Sequence, residues 1–461
     1  MFARKIIDYL VRWKDKDTRK PLILRGARQV GKTSAVLMFA REYFKHVIYL
    51  NLEKAEHANL FRQELSLEDF EKIIQIKFHQ TIIPQETLIF IDEIQSSPSL
   101  IKLLRFFYEE RPDIHVIAAG SLLQARIERE GFSLPVGRVE YAYLYPLDFF
   151  EYLAAKGEAE LLDFFKNLSL EEDIPCGIHE LGLKLFYEYT MIGGMPEIVK
   201  VFLEKKNLEE LKGIYSSLFT SYTEDVYKYS SLANSKYLIY VIDNSPLFAG
   251  TTVTYEKFGG SNFRSREIGK AFDMLEKVML IYQTQATKSI ELPLIPQRKR
   301  PKKLLFLDVG LINYQMGIQE NFLNIGDLND FYRGRIAEQV VGQNILAQFI
   351  DSPPKVFYWA KEKPKGCAEI DFCLNKQGSI LGIEVKSGRS KRLKSIFSFG
   401  REIKNRQLIR IYSGELKKEE FEIDNKGFSL VSLPFYLVPR VLNNFPEDKK
   451  QDSFLTNGPV S

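Results

Sequence analysis

Pro21-Leu22-Ile23-Leu24-Arg25-Gly26-Ala27-Arg28-Gln29-Val30-Gly31-Lys32-Thr33-Ser34 decides how this chain is read. Residues 21–24 are apolar and run through Arg25 into Gly26, the composition of a buried strand that ends in a turn. Residues 26–33 fit the spacing GxxxxGK[ST]. Its glycines let backbone N–H groups curl around an anion, and a helix starting at Lys32 adds partial positive charge at its first turn. In that arrangement Lys32 reaches the β- and γ-phosphates of a nucleotide, and the Thr33 hydroxyl holds Mg²⁺. Gly26, Ala27, Arg28, Gln29, Val30, Gly31, Lys32, Thr33 and Ser34 are the candidate phosphate-binding residues, with ATP and Mg²⁺ as the expected cofactors.

The flanking sequence alternates in type. HVIYLNL (46–52), TLIFIDEI (87–94) and IHVIAAGS (114–121) read as buried strands, and KTSAVLMFAREYF (32–44) and LIKLLRFFYEE (100–110) as helices between them. Strand–helix alternation predicts an α/β fold with a parallel sheet. An acid at the C-terminal end of a parallel strand faces the ligand crevice. Asp92 is therefore the candidate for the Mg²⁺ shell, and Glu93 for the general base that polarises the attacking water. Ser121 ends the next strand and reads either as a γ-phosphate sensor or as a simple turn or N-cap. Arg138, in LPVGRVEYAYLYPL (134–147), is a candidate charge stabiliser within the chain or on a neighbour; the plainer reading pairs it with an acid such as Glu140.

From about residue 326 the pattern begins anew. A helix, GRIAEQVVGQNILAQFI (334–350), precedes three strand-like runs: KVFYWAKE (355–362), EIDFCLN (369–375) and ILGIEVK (380–386). Glu338 lies on the helix, Asp371 in the second strand, and Glu384 and Lys386 in the third. Strand alternation points Glu384 and Lys386 to one face. Carboxylates so grouped can bind Mg²⁺ through Glu338, Asp371 and Glu384, with Lys386 orienting or activating water, the D…ExK arrangement of restriction-endonuclease-like nucleases. The alternative is an inactive domain that uses these charges as ion pairs. Arg389, Lys391, Arg392 and Lys394 follow as a basic run suited to a DNA backbone or to a solvated face.

Between these regions, TYEKFGG (254–260), SREIGKAFDMLEKVMLIYQ (265–283) and a hairpin around PQRKRPKK (296–303) resemble a winged helix. Ile268, Phe272, Leu275 and Val278 recur at helical spacing and face a core. Arg264, Arg266 and Lys270 lie where a recognition helix meets DNA, and Arg298, Lys299, Arg300, Lys302 and Lys303 supply a basic wing for phosphate contacts, or else a solvated turn.

RGARQVGKTS (25–34), FIDEIQ (90–95), AAGSLL (118–123), PVGRVEYAYLYPL (135–147) and GGMPEIV (193–199), in this order, resemble one family of predicted bacterial and archaeal ATPases that join an AAA-type domain to a C-terminal domain of unknown function. The resemblance spans nearly the whole chain. It implies a P-loop AAA+ core over residues 1–145, a helical lid and connector over 146–212, a winged-helix-like region over 213–325, a PD-(D/E)XK-like α/β domain over 326–445 and a flexible tail over 446–461. The stretch Gly193-Gly194-Met195-Pro196-Glu197 matches the family and reads as a tight turn between the lid and the linker helices.

Composition narrows the classes. The 461 residues are 45% hydrophobic, with 28 Gly and 19 Pro, which excludes a disordered or fibrous chain. A net charge of +4 neither requires nor excludes nucleic acid. Cys176, Cys367 and Cys373 form no CxxC pair, so neither a disulfide framework nor a zinc ribbon is indicated. His46, His57, His79, His115 and His179 include no HxxxH pair, which leaves a zinc hydrolase unsupported. The first residues read as an amphipathic helix rather than a signal peptide, and no apolar run approaches the ~18 residues of a membrane span. The expectation is a cytoplasmic ATP-binding ATPase that controls DNA binding or cleavage by its C-terminal domain. The expected partners are ATP and duplex DNA, with no membrane; a homo-oligomer and a protein partner stay open. The rival, from another class, is an ATP-dependent switch or scaffold acting on a protein partner, with a catalytically inactive nuclease-like domain.

Overall fold

The computed structural model describes residues 2–123, 125–126, 134–319, 331–363, 366–386, 393–403, 406–423 and 426–442. The expected tail over 446–461 and Arg389, Lys391 and Arg392 of the basic run lie outside them.

β1 (Leu22–Arg25), β2 (His46–Asn51), β3 (Thr87–Asp92), β4 (His115–Ala119) and β5 (Glu140–Tyr143) form a five-stranded sheet in the order β2-β3-β4-β1-β5. All its pairings are parallel, and Asn51, Asp92, Ala119 and Leu24 stand level across it, so the strand C-termini share one edge. Ile23, Ile89, Ile91, Val116 and Ala118 pack on one face, and Leu22, Leu24, Leu88, Phe90 and Ile117 on the other. Alternation with both faces covered explains why these strands read as continuous apolar runs. Crossing from β1 to β2 requires a connection, which the helix Lys32–Tyr43 provides, and this puts the phosphate loop at the C-terminal edge.

LDFFEYLAAKGEAELLDFFKNL, read as one helical stretch, forms two helices, Phe149–Lys156 and Ala159–Asn167. Gly157 at φ 87° ends the first, a conformation that costs glycine no steric clash. Helices Cys176–Ile192, Pro196–Lys205, Glu209–Tyr229 and Leu232–Phe248 follow.

β6 (Thr252–Val253), β7 (Ile281–Thr287) and β8 (Lys302–Phe306) are antiparallel in the order β7-β8-β6, beside the helix Ser265–Lys277; its Ile268, Phe272 and Leu275, and Val278 just past its end, are buried as their spacing predicts. They continue into a larger sheet. β9 (Phe357–Lys363), β10 (Gly366–Lys376), β11 (Ser379–Val385), β12 (Arg406–Tyr412), β13 (Lys417–Ile423) and β14 (Lys426–Pro434) extend it to nine strands, in the order β13-β14-β12-β11-β10-β9-β7-β8-β6. The seam is the parallel pairing of Gln285, Ala286 and Thr287 with Phe357, Tyr358 and Trp359. One sheet therefore crosses residue 326, where the sequence pattern begins anew. Among the described residues no helix is long and apolar enough to cross a membrane.

Candidate functional site

The loop after β1 is shaped by two glycines. A Cβ on Gly26 would lie 2.5 Å from the Leu144 carbonyl oxygen, and Gly31 stands at φ 95° just before the helix begins. The Val30 carbonyl accepts from Arg4 Nη1 at 2.9 Å. Arg4 is itself held by Glu151 at 3.0 Å and by the Tyr145 carbonyl at 2.6 Å. This buried arginine clamps the loop from outside it, and nothing in its local sequence distinguishes it from the other charges near the N-terminus.

Lys32 is only 6% exposed. Its ammonium donates to the carbonyls of Gly26 at 2.9 Å and Ala27 at 2.8 Å. Burial lowers its pKa, while Glu93 and Asp92 oppose that shift. Thr33 Oγ1 donates to Asp92 Oδ2 at 2.7 Å, and the Tyr49 hydroxyl to the same oxygen at 3.2 Å. Glu93 adopts φ 55° and accepts from Gln95 Nε2. Burial raises its carboxyl pKa, with Lys32 pulling the other way. The structure thus brings Lys32, Thr33, Asp92 and Glu93 together at the sheet's C-terminal edge. Gln29 and Ser34 are exposed beside them, while Ala27 and Val30 are buried.

Ser121 follows β4 and lines a small cavity of about 20 Å³ with Ala27, Arg28, Tyr222 and Asp225. Arg28 pairs with Asp225 on the helix Glu209–Tyr229, a partner almost 200 positions away that no local pattern announces.

Arg138 does not join this group. Glu140 is level with Leu22 and Tyr143 with Arg25, so β5 starts at the edge opposite the loop. At about 3.3 Å per residue, the start of β5, just after Arg138, is about 10 Å along the strand from the level of Arg25, where the phosphate loop begins. A role at its own chain's phosphates is corrected by this geometry. Its acid is Glu109 at 2.7 Å, while Glu140 pairs with Lys16 at 2.9 Å.

A second cluster forms in the nine-stranded sheet. Glu338 on the helix Phe331–Leu346 and Glu384 on β11 each lie within electrostatic reach of Asp371 on β10. Glu384 pairs with Lys386, the i, i+2 neighbour on its face. Its second oxygen is buried without a partner. Asp371 Oδ2 accepts from the Val385 amide at 2.8 Å. Burial, then the charge of Asp371, raises the Glu338 pKa to about 8 and that of Glu384 to about 7.

At the centre of this cluster sits Lys303, which the sequence assigned to a basic wing. It is 2% exposed, with its ammonium 2.7 Å from Glu338, 3.2 Å from Asp371 and 3.3 Å from Glu369. The wing reading is corrected at this position, because β8 begins at Lys302 and carries the next side chain inward. Lys302 lies over the Tyr255 ring at 5.6 Å and donates to Gln283 at 3.3 Å. Arg298, Lys299, Arg264, Arg266, Lys270 and Lys394 are exposed, and Arg300 is half-buried. Among the described residues no group of three or more His, Cys, Asp or Glu has the geometry to hold a metal ion.

Gly193 and Gly194 do more than turn the chain. The Gly194 amide donates to Asp308 at 2.7 Å, and its carbonyl accepts from the Leu147 amide at 2.7 Å. A Cβ on Gly193 would lie 1.9 Å from the Asp308 carboxylate. Pro196 packs toward Gly31 of the phosphate loop.

Residues 18–153 match a family described as an AAA domain. Residues 183–321 and 333–436 match two families described as domains of unknown function, DUF8612 and DUF4143. No curated protein matches the chain. Among solved structures, the chain is similar to the RuvB Holliday junction branch migration motor of Thermotoga maritima, 12% identical over 61% of this chain and 90% of that one, with a TM-score of 0.27. It is also similar to the Aeropyrum pernix ORC1 protein in complex with DNA, 12% identical over 70% of this chain and 92% of that one, with the same TM-score. Values this low do not show a shared overall arrangement. The match over residues 18–153, on a parallel sheet that carries the phosphate loop at its C-terminal edge, makes this part of the chain an AAA-type ATPase domain.

Proposed function

We propose that the chain binds ATP with Mg²⁺ at residues 26–34 and hydrolyses it, and that turnover controls how the regions after residue 212 engage duplex DNA. The observation that carries the first step is the Thr33 hydroxyl seated on Asp92 at 2.7 Å, beside Lys32 and Glu93. These residues fit the cofactor: a hydroxyl and a carboxylate would hold Mg²⁺, which when bound supplies positive charge at the phosphates. Lys32 exchanges its two loop carbonyls for phosphate oxygens. Glu93 would take a proton from the attacking water, and burial raises its pKa, which makes its carboxylate a stronger base. Arg28 and Ser121 line one small cavity at the same edge and would be placed to hold the terminal phosphate. Arg138, on the far edge and paired with Glu109, would have to leave that acid to act, and then only on a neighbouring copy. Lys32→Ala should abolish phosphate release; unchanged turnover would sink the assignment.

DNA as the macromolecular partner is supported by the exposed Arg264, Arg266, Lys270, Arg298 and Lys299. Clustered cations of this kind make phosphate contacts whose strength falls with salt. Charge reversal at Arg264 and Arg266 should weaken duplex binding and flatten its salt dependence.

A second reading is favoured by Lys303. With an ammonium among the carboxylates, the nuclease-like region serves as a binding platform, and the chain is an ATP-dependent switch acting on a protein partner. Incubation of linear and circular DNA with Mg²⁺ or Mn²⁺, with and without ATP, separates the two. Cleavage lost in Lys386→Ala supports a nuclease; no cleavage under any condition supports the switch.

A further inference from the structure

We propose that Lys303 is the resident cation of the Glu338, Asp371 and Glu369 cluster, holding a position that a divalent metal could take only in its absence, and that it joins β8 to the C-terminal part of the sheet. This rests on the second reading above, in which the nuclease-like region does not cut.

The distances carry the argument. Three carboxylates from two elements converge on one nitrogen at 2.7, 3.2 and 3.3 Å. A Mg²⁺ or Ca²⁺ draws carboxylate oxygens to about 2.0–2.6 Å, so the ammonium and a metal ion cannot share the position. The lysine is also not a side chain that swings in from solvent. Its backbone lies in the middle strand of β7-β8-β6, paired with Thr284 on one side and Thr252 on the other. Its ammonium lies 5.7 Å from the Tyr358 ring centre and 5.6 Å from that of Phe372, so aromatic faces close the site around the charge.

The chemistry explains why a cation sits here. Carboxylates this crowded, two of them partly buried, repel each other unless a cation lies among them. A metal ion can be that cation, and so can an ammonium supplied by the chain. Here it comes from β8, before residue 326, and neutralises acids that come after it. The joint therefore depends on how the two stretches are registered, not on metal supply.

Nucleotide-free full-length protein is titrated with Mn²⁺, and free Mn²⁺ is followed by electron paramagnetic resonance. Wild type, Asp371→Asn, Glu338→Gln and Lys303→Met are compared, with thermal melting of each with and without Mn²⁺. Asn and Gln keep an acceptor oxygen, so the Val385 amide retains its partner in the first variant. The expected result is equal Mn²⁺ uptake by wild type and the two carboxylate variants. Lys303→Met should gain Mn²⁺ binding more than about tenfold tighter than wild type, together with a Mn²⁺-dependent rise in its melting temperature. Mn²⁺ uptake by wild type that is lost in Asp371→Asn overturns the proposal. So does a folded Lys303→Met that takes up no additional Mn²⁺. If Lys303→Met does not fold, wild type against the carboxylate variants decides alone. Neither readout involves DNA or a protein partner, so failure of the switch reading and failure of this inference give different results.

Discussion

Glu93 holds a left-handed backbone at φ 55° and ψ 45° directly after the strand that ends in Asp92. A side chain with a Cβ pays roughly 1 kcal/mol or more for that conformation. Its surroundings over-determine it: the Glu93 amide donates to Asp92 Oδ1 at 3.1 Å, and Gln95 donates to the carboxylate. The strain fixes two adjacent acids in different directions, Asp92 onto Thr33 and Glu93 within electrostatic reach of Lys32. Glu93→Gln keeps the shape and removes the base. It should leave ATP affinity near that of wild type and slow phosphate release by about 10²-fold or more. A nucleotide titration beside a turnover assay checks this; equal losses of binding and turnover would mean that Glu93 shapes the site rather than acting in it.

The helix Glu209–Tyr229 bears on the phosphate loop through Asp225, which pairs with Arg28 and, at 2.7 Å, with Lys228. Asp225 is buried, and its charge reaches Lys32. An incoming triphosphate meets that carboxylate as a competitor for Arg28. Asp225→Asn should therefore tighten ATP binding by about 3- to 10-fold, after allowance for the part-exposed Arg28, while lowering the melting temperature. Unchanged or weaker binding in a fluorescence titration would remove the competition. At this scale the sequence was legible where a signal is local. Strands buried on both faces, the loop spacing and the i, i+2 pair of Glu384 and Lys386 each lie within one short window. Signals spread over distance were not. β5 is four residues of EYAY that qualify as a strand only by pairing along β1. β13, KKEEFEI, is the edge of the nine-stranded sheet, and an edge strand is charged for the reason that hides it from a hydrophobicity reading. PQRKRPKK looks like one basic turn, yet the strand begins inside it, and that boundary separates the exposed Arg298 and Lys299 from the buried Lys303. Arg4 and Asp225 reach the loop from far along the chain, where no spacing rule applies.

Across the whole molecule, three stretches meet on Asp308. Its carboxylate accepts from the amides of Gly194 and Gly310 at 2.7 and 2.9 Å and from Gln343 at 2.9 Å. Gln343 lies on the helix that carries Glu338, and Gly194 is tied to Leu147 within the stretch that matches the AAA domain. A rearrangement near the phosphate loop therefore has a buried polar route to the nine-stranded sheet through one side chain. Burial raises the Asp308 pKa to about 6, against the pull of its hydrogen bonds. In the unfolded chain the same carboxyl loses its proton near pH 4. Between those values the native state holds a proton that the unfolded state has lost. The stability this confers is complete below about pH 4 and is lost as the pH rises through about 6. A shift of about two units corresponds to roughly 2–3 kcal/mol. Asp308→Asn cannot titrate, and it turns an amide toward N–H donors at one oxygen position, so it should be less stable than wild type at every pH. The wild-type advantage should shrink by roughly 2–3 kcal/mol between pH 4 and pH 7. Denaturant unfolding of both proteins across that range measures it, and because other titrating groups are common to both, they cancel in the difference. A gap that stays constant with pH would place the Asp308 pKa at its ordinary value and leave the junction insensitive to protons.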